Sequence, residues 1–134
     1  MDQGIGVISY NPLAGGVLTG RYQPGQAPQE GTRFTVHNAG QLYQARYWQE
    51  PQMQAVEELK AFCQQHDIAV AQLAIAWVLA QPAITSAIVG ASKPEQLDQT
   101  LPAVNLVLDE QMLAVCDNIW YQLPRERNRD VALR

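Results

Sequence analysis

Cysteine, histidine and charge are all scarce in this sequence, and each shortage removes a class of function. Its 134 residues include two cysteines and two histidines. Cys63 and Cys116 stand far apart, each within an apolar helical pattern. They read as two buried free thiols in a reducing compartment, since so few ligands make a disulfide or metal site improbable. His37 and His66 are isolated from both and read as surface residues. Charged residues make up only 16%, and nine basic against thirteen acidic side chains leave a net charge of −4. A nucleic-acid partner would require a basic face, which this balance does not supply. A single phosphorylated small molecule needs only a local cluster of positive charge and stays open. No run reaches the roughly 20 apolar residues of a membrane helix. Met1-Asp2-Gln3-Gly4 opens without the basic stretch and apolar core of a signal peptide, so the cytoplasm is the expected compartment.

What is present is a soluble, globular pattern, 47% hydrophobic and free of low-complexity runs. Residues 1–10 end in a buried strand, carried by Ile5, Val7 and Ile8 between turn formers. Residues 11–50 form a loop region punctuated by glycine and proline, with room for one helical turn near its start. A loop of this length inside a compact domain is usually a lid or a ligand-binding segment, or else disordered. Residues 51–81 read as a helix pair. The first is amphipathic, with Met53, Val56, Leu59, Phe62 and Cys63 on its apolar stripe. The second, Ala69 to Ala80, has Gln72 as its one polar side chain and must be buried on nearly every side before Pro82 ends it. Residues 84–90 make a second strand, 92–121 two C-terminal helices, and 122–134 a charged, frayed tail.

Strands that each lead into helices argue for an α/β fold with a parallel sheet. Two strands do not complete such a sheet, because parallel sheets are normally covered on both faces. The chain therefore reads as one domain segment of something larger, prone to self-association or to a partner that covers its open sheet.

Two segments carry candidate chemistry. Gly90-Ala91-Ser92-Lys93-Pro94-Glu95-Gln96 is a strand end, a glycine and a helix start. Ser92 and Glu95 fit a capping box, with Pro94 tolerated in the first turn. A helix start offers free amides and partial positive charge to an anion, and Lys93 and the Ser92 hydroxyl add to both. The earlier segment, from Asn11, has glycines that allow close backbone approach, Tyr10 placed to stack on a flat ring, and Arg21 and Arg33 within reach of an anion. Taken singly, each has a plainer explanation: Tyr10 packs, the glycines turn the chain, the arginines are solvated, and most capped helices bind nothing. Taken together they follow two strands, and parallel barrels bind phosphate after their last two strands.

The run Ser9-Tyr10-Asn11-Pro12-Leu13-Ala14-Gly15-Gly16-Val17-Leu18-Thr19-Gly20-Arg21-Tyr22 resembles the seventh-strand loop of aldo-keto reductases. Gln72 to Leu79 is similar to their helix before the last strand, and Val89 to Leu97 to their eighth-strand phosphate loop. Gly31-Thr32-Arg33 resembles the Gly-Ser-Arg element of the branch that includes potassium-channel β subunits. The resemblance runs from Gly4 to about Trp120. It implies the C-terminal part of a (β/α)8 TIM barrel, incomplete as given, from a fold of about 250 residues or more. It also implies NADP(H) as cofactor and a small-molecule aldehyde or ketone as substrate. By resemblance, Tyr10 stacks on the nicotinamide, and Asn11, Pro12, Leu13, Ala14 and Gly15 line the pyrophosphate path with charge from Arg21 and Arg33. Gly90, Ser92 and Lys93 hold the adenosine 2′-phosphate, and Gln96, Gln99 and Thr100 face the adenine.

Three departures qualify this. Gln99 and Thr100 stand where relatives have Glu and Asn. Ala69 replaces a Thr cap worth about 1 kcal/mol. The family's Asp, Tyr, Lys and His, which protonate the carbonyl as hydride arrives, belong to earlier strands, and no residue here matches them. The expected activity is therefore the cofactor-binding share of a carbonyl reductase without its acid. The alternatives are a non-catalytic NADP(H)-binding or scaffold module, or an inactive truncated remnant.

Overall fold

The computed structural model describes residues 4–123; the charged tail beyond them lies outside the described residues, as do the side chains of His37 and Asn38. The elements run β1 (Ile8–Tyr10), a 3-10 turn (Ala14–Thr19), α1 (His37–Tyr47), α2 (Glu50–Gln65), α3 (Val70–Ala80), β2 (Ser86–Ile88), α4 (Pro94–Thr100), a second 3-10 turn (Leu101–Asn105) and α5 (Glu110–Gln122). The strands pair in parallel, Ile8 with Ser86 and Tyr10 with Ile88, in an open two-stranded sheet. The α/β reading and the parallel sheet hold, while the closed barrel is not formed by these residues.

The first strand was expected to be buried, and neither strand is. Only the middle residues, Ser9 and Ala87, are half-covered, and α3 packs against β2. The opposite face lies open, with Ile8, Tyr10 and Ile88 at 62%, 71% and 58% exposure. Alternation along a strand accounts for this: one set of side chains meets the helices, and nothing covers the other.

The helix pair forms as expected, and local chemistry sets its limits. Proline is accepted in the first turn of α2, where its missing N–H costs nothing. Gln81, the residue before Pro82, is forced into an extended conformation, which ends α3. Residues 70–76 of α3 are buried apart from Gln72, whose amide donates to the Gln99 carbonyl at 2.8 Å and ties α3 to α4. Ala69 stands at the N-cap of α3 with no side-chain cap. Asp109 caps α5 by accepting from the Met112 amide at 2.8 Å.

The long segment 21–50 is not all loop. It contains α1, whose weakly amphipathic mixture of residues and whose Gly40 hide it from a periodicity reading. That glycine is required for contact: a Cβ there would stand 2.7 Å from the Phe34 carbonyl oxygen. Tyr22, Phe34, Tyr43 and Trp48 meet edge to face around Phe34, which is fully buried. Edge-to-face rings add stabilisation beyond the area they bury.

Three buried clusters organise the rest. Leu59, Cys63, Val70, Leu73, Met112 and Cys116 join α2, α3 and α5. Val17, Tyr22, Phe34, Met53 and Val56 hold the 11–50 region onto α2. Ile75, Ala76 and Ala103 receive Leu13 from one loop and Val89 from the other. Both cysteines are buried and free.

Candidate functional site

Because β1 and β2 are parallel and Tyr10 lies opposite Ile88, the segments that follow them leave the same end of the sheet. Leu13 and Val89 pack on one cluster, which ties the two segments together.

Asn11 builds the first loop. Its φ of 57° is left-handed, a conformation Asn tolerates better than most side chains. Its Oδ1 accepts from the Gly15 amide at 2.8 Å, and its carbonyl from the Ala14 amide at 3.0 Å. The Gly16 and Leu18 amides both donate to the Leu13 carbonyl, at 2.8 and 3.2 Å. With these four amides engaged, the loop is not a cradle of free N–H groups. The glycines are explained from inside the chain as well. A Cβ on Gly15 would stand 2.8 Å from Tyr43 Cδ1 and 3.0 Å from Phe34 Cζ. One on Gly16 would stand 3.2 Å from an Arg21 Nη. Gly15 thus leaves room for the rings of Tyr43 and Phe34, and Gly16 for one guanidinium.

Charge does gather at this turn. Arg21 lies over the Tyr22 ring, 4.6 Å from its centroid, and donates to the Tyr22 hydroxyl. Arg33 lies 5.6 Å from the Tyr43 centroid and donates to that hydroxyl at 3.3 Å. Both arginines are exposed, and both ride on tyrosines that touch the Gly15–Gly16 pair. Pro12 and Ala14 line a cleft of about 410 Å³ between the end of β1 and helices α2, α3 and α5. Three buried polar atoms in that cleft have no partner among the described residues: Ser9 Oγ, Asn11 Nδ2 and Gln52 Oε1.

The second segment differs from its expected cap. The N-cap of α4 is Lys93, extended at φ −142° and ψ 144°, and Pro94 is the first helical residue. The reason lies in Pro94, which drives the residue before it out of the helical region. The reciprocal contact moves along by one residue: Gln96 Oε1, not Glu95, accepts from the Ser92 amide at 2.8 Å and from Ser92 Oγ at 3.2 Å. Lys93 and Ser92 are exposed. Gly90 has no atom within 4 Å of a Cβ position and no positive φ, so the fold itself does not demand a glycine there. Gln99 is exposed. Thr100 is buried and spends its hydroxyl on the carbonyls of Gln96 and Leu97, at 2.9 and 3.3 Å. Its hydroxyl hydrogen is thus engaged within α4, while the oxygen keeps its capacity to accept.

The structure thus brings Arg21 and Arg33 to one turn and joins that turn to the Val89 segment through Leu13. Sequence reasoning missed Tyr22 and Tyr43 as the seats of the arginines. Their signal is the recurrence of aromatics in a stretch otherwise poor in apolar residues. Among the described residues, no group of three or more His, Cys, Asp or Glu could hold a metal, and no helix is long and apolar enough to cross a membrane.

Comparison with known proteins gives a consistent picture. The profile described as "Aldo/keto reductase family" matches residues 1–121. A probable voltage-gated potassium channel subunit beta from Arabidopsis thaliana is 35% identical over 106 residues, covering 79% of this chain and 32% of that protein. L-glyceraldehyde 3-phosphate reductase from Escherichia coli (strain K12) is 32% identical over 117 residues, covering 87% of this chain and 34% of the relative. The chain spans about a third of the length of the curated relatives it matches.

Proposed function

Because this chain belongs to the aldo/keto reductase family, we propose that it is the cofactor-gripping end of an NADP(H)-dependent reductase of aldehydes or ketones. In this reading β1 and β2 are the last two strands of an eight-stranded α/β barrel. The other β/α units would cover Ile8 and Ile88. The cytoplasm is the compartment the reading assigns.

One observation carries it: two parallel strands release their loops at the same end, and those loops lead on to Arg21 and Arg33 in one case and to Lys93 in the other. The donor set fits a phosphorylated dinucleotide in part. Asn11 Nδ2 is a buried donor without a partner among the described residues, and Gly90 leaves open space beside Ser92 and Lys93. The engaged amides at residues 14–16 do not fit, so side chains do the holding at the first loop.

When bound, NADPH would supply the hydride. The protein's part is to bind and orient it. Tyr10, exposed at the end of β1, would stack on the nicotinamide ring. Asn11, Pro12, Leu13, Ala14 and Gly15 would line the pyrophosphate path, with the arginines neutralising its charge. Gly90, Ser92 and Lys93 would take the 2′-phosphate, and Gln96 and Gln99 would border the adenine. Negative charge building on a carbonyl oxygen needs a positioned acid, and none of the residues assigned here supplies it. Residues 1–134 would then hold cofactor without reducing a carbonyl.

A second reading is a non-catalytic NADP(H)-binding scaffold, favoured by the likeness to channel β subunits. Titration of the purified chain with NADPH, followed by nucleotide fluorescence, tests both. Saturable enhancement with a blue shift is the expected result. A linear, unshifted response would overturn the binding reading and leave an inactive remnant.

A further inference from the structure

Tyr22 and Tyr43 have no role in the reading above, yet each holds one of the two arginines it depends on. Tyr43 lies flat enough against Gly15 that a Cβ there would come within 2.8 Å of its ring, and Phe34 meets it edge to face at 6.2 Å. Tyr22 is 5% exposed, packs on Phe34 and Trp48, and has its hydroxyl 3.7 Å from the Cβ position of Gly16. Both rings are thus fixed by the aromatic cluster, and Tyr43 also by its close fit to Gly15; Gly15 and Gly16 are consecutive glycines of positive φ, 71° and 103°. Each hydroxyl then accepts a guanidinium N–H, from Arg21 and Arg33 respectively. Neither arginine forms an ion pair among the described residues; the single ion pair found there is Lys60 with Glu57.

An exposed arginine ordinarily samples many rotamers, and ordering it on binding is costly. Here the ring face and the hydroxyl hold the guanidinium before any ligand arrives. A hydroxyl that accepts from a guanidinium keeps its own hydrogen to donate, and that donation is strengthened by polarisation. Each tyrosine–arginine pair therefore presents a charge and an O–H at one place. We propose that Tyr22 and Tyr43 are positioning residues, with Gly15 leaving room for the Tyr43 ring and Gly16 for the Arg21 guanidinium, that hold Arg21 and Arg33 ready for the diphosphate of a dinucleotide. The inference rests on the NADP(H) reading and adds to it why this turn carries two glycines.

A double-mutant cycle tests it, using NADPH titration of the full chain. Tyr43→Phe keeps the ring against Gly15 and removes only the hydroxyl. It should weaken NADPH about threefold to tenfold. In an Arg33→Ala background the same change should have no further effect, because the hydroxyl acts through Arg33. The pair Tyr22→Phe and Arg21→Ala should behave alike. A Tyr43→Phe loss of equal size in both backgrounds, or no loss at all, would overturn the proposal. If the unaltered chain does not bind NADPH, the cofactor reading fails, and the seating is decided without ligand. The Arg33 side-chain N–H resonance should be ring-shifted in the unaltered chain and return to its free position in Tyr43→Leu. An identical resonance in both would overturn the seating as well.

Discussion

Replacing Gly15 by alanine is the sharpest structural perturbation this chain offers. At φ 71°, any L side chain is in left-handed backbone, which costs about 1–2 kcal/mol. The added methyl would also stand 2.8 Å from Tyr43 Cδ1 and 3.0 Å from Phe34 Cζ, and both rings are held by neighbours. Overpacking of that kind costs about 1–3 kcal/mol more. The sum, roughly 2–5 kcal/mol, is a large share of the 5–15 kcal/mol by which domains are stable. Gly25 is the internal control. Its φ is 74°, but nothing lies within 4 Å of a Cβ there. Gly25→Ala should therefore cost only the backbone share, about 1–2 kcal/mol. The assay is urea unfolding followed by tryptophan fluorescence, to which Trp48 contributes from 4.7 Å above the Phe34 ring. Gly15→Ala should unfold at clearly lower urea than Gly25→Ala, and Tyr43→Ala should reduce the difference by opening space for the methyl. Equal midpoints for the two alanine variants would refute the steric argument.

Three further outcomes are expected. Ala69→Thr should restore the missing cap of α3 and stabilise the chain by about 0.5–2 kcal/mol, read as a higher urea midpoint. Burial pushes the Cys63 thiol up to about 11; burial first, then the neighbouring Cys63 and Asp117, pushes Cys116 up to about 12. The folded state therefore keeps these protons after unfolded thiols, near about pH 8.5, have lost theirs. Their contribution is complete below that value and declines as pH rises toward the folded values, so the urea midpoint should fall above pH 9. It should fall less in Cys63→Ala/Cys116→Ala, and both thiols should resist a thiol reagent at pH 7 until the chain is unfolded. The rigorously purified chain should consume no NADPH with a reactive aldehyde in a spectrophotometric assay; measurable turnover would contradict the proposal that these residues bind cofactor without supplying an acid.

Much of this architecture is legible in the residues. The helix pair, the capless Ala69, the stop before Pro82 and the buried cysteines all follow from local rules that tertiary contacts left undisturbed. The failures share a cause: they depended on what lies beside a residue, not along it. Helix α1 mixes polar residues with Leu42, Tyr43 and Tyr47 in a weakly amphipathic pattern and contains a glycine, so it gives no periodic signal. Gly40 marks a close approach to the Phe34 backbone, which only the fold reveals. The shift from Glu95 to Gln96 at α4 turned on one proline acting on Lys93. The first strand was read as buried because Ile5, Val7 and Ile8 are apolar, whereas burial requires something to cover them. For the candidate site, the charged residues and their order were visible, but the tyrosine seats and the engagement of the loop amides were not.

The account stands or falls on whether this end of the sheet distinguishes NADPH from NADH. Equilibrium titrations of the unaltered chain and of Lys93→Glu with each nucleotide measure this. Tighter binding of NADPH than NADH, with the preference abolished by Lys93→Glu, is the predicted result. Equal affinity for the two nucleotides, or an equal loss for both on substitution, would contradict it.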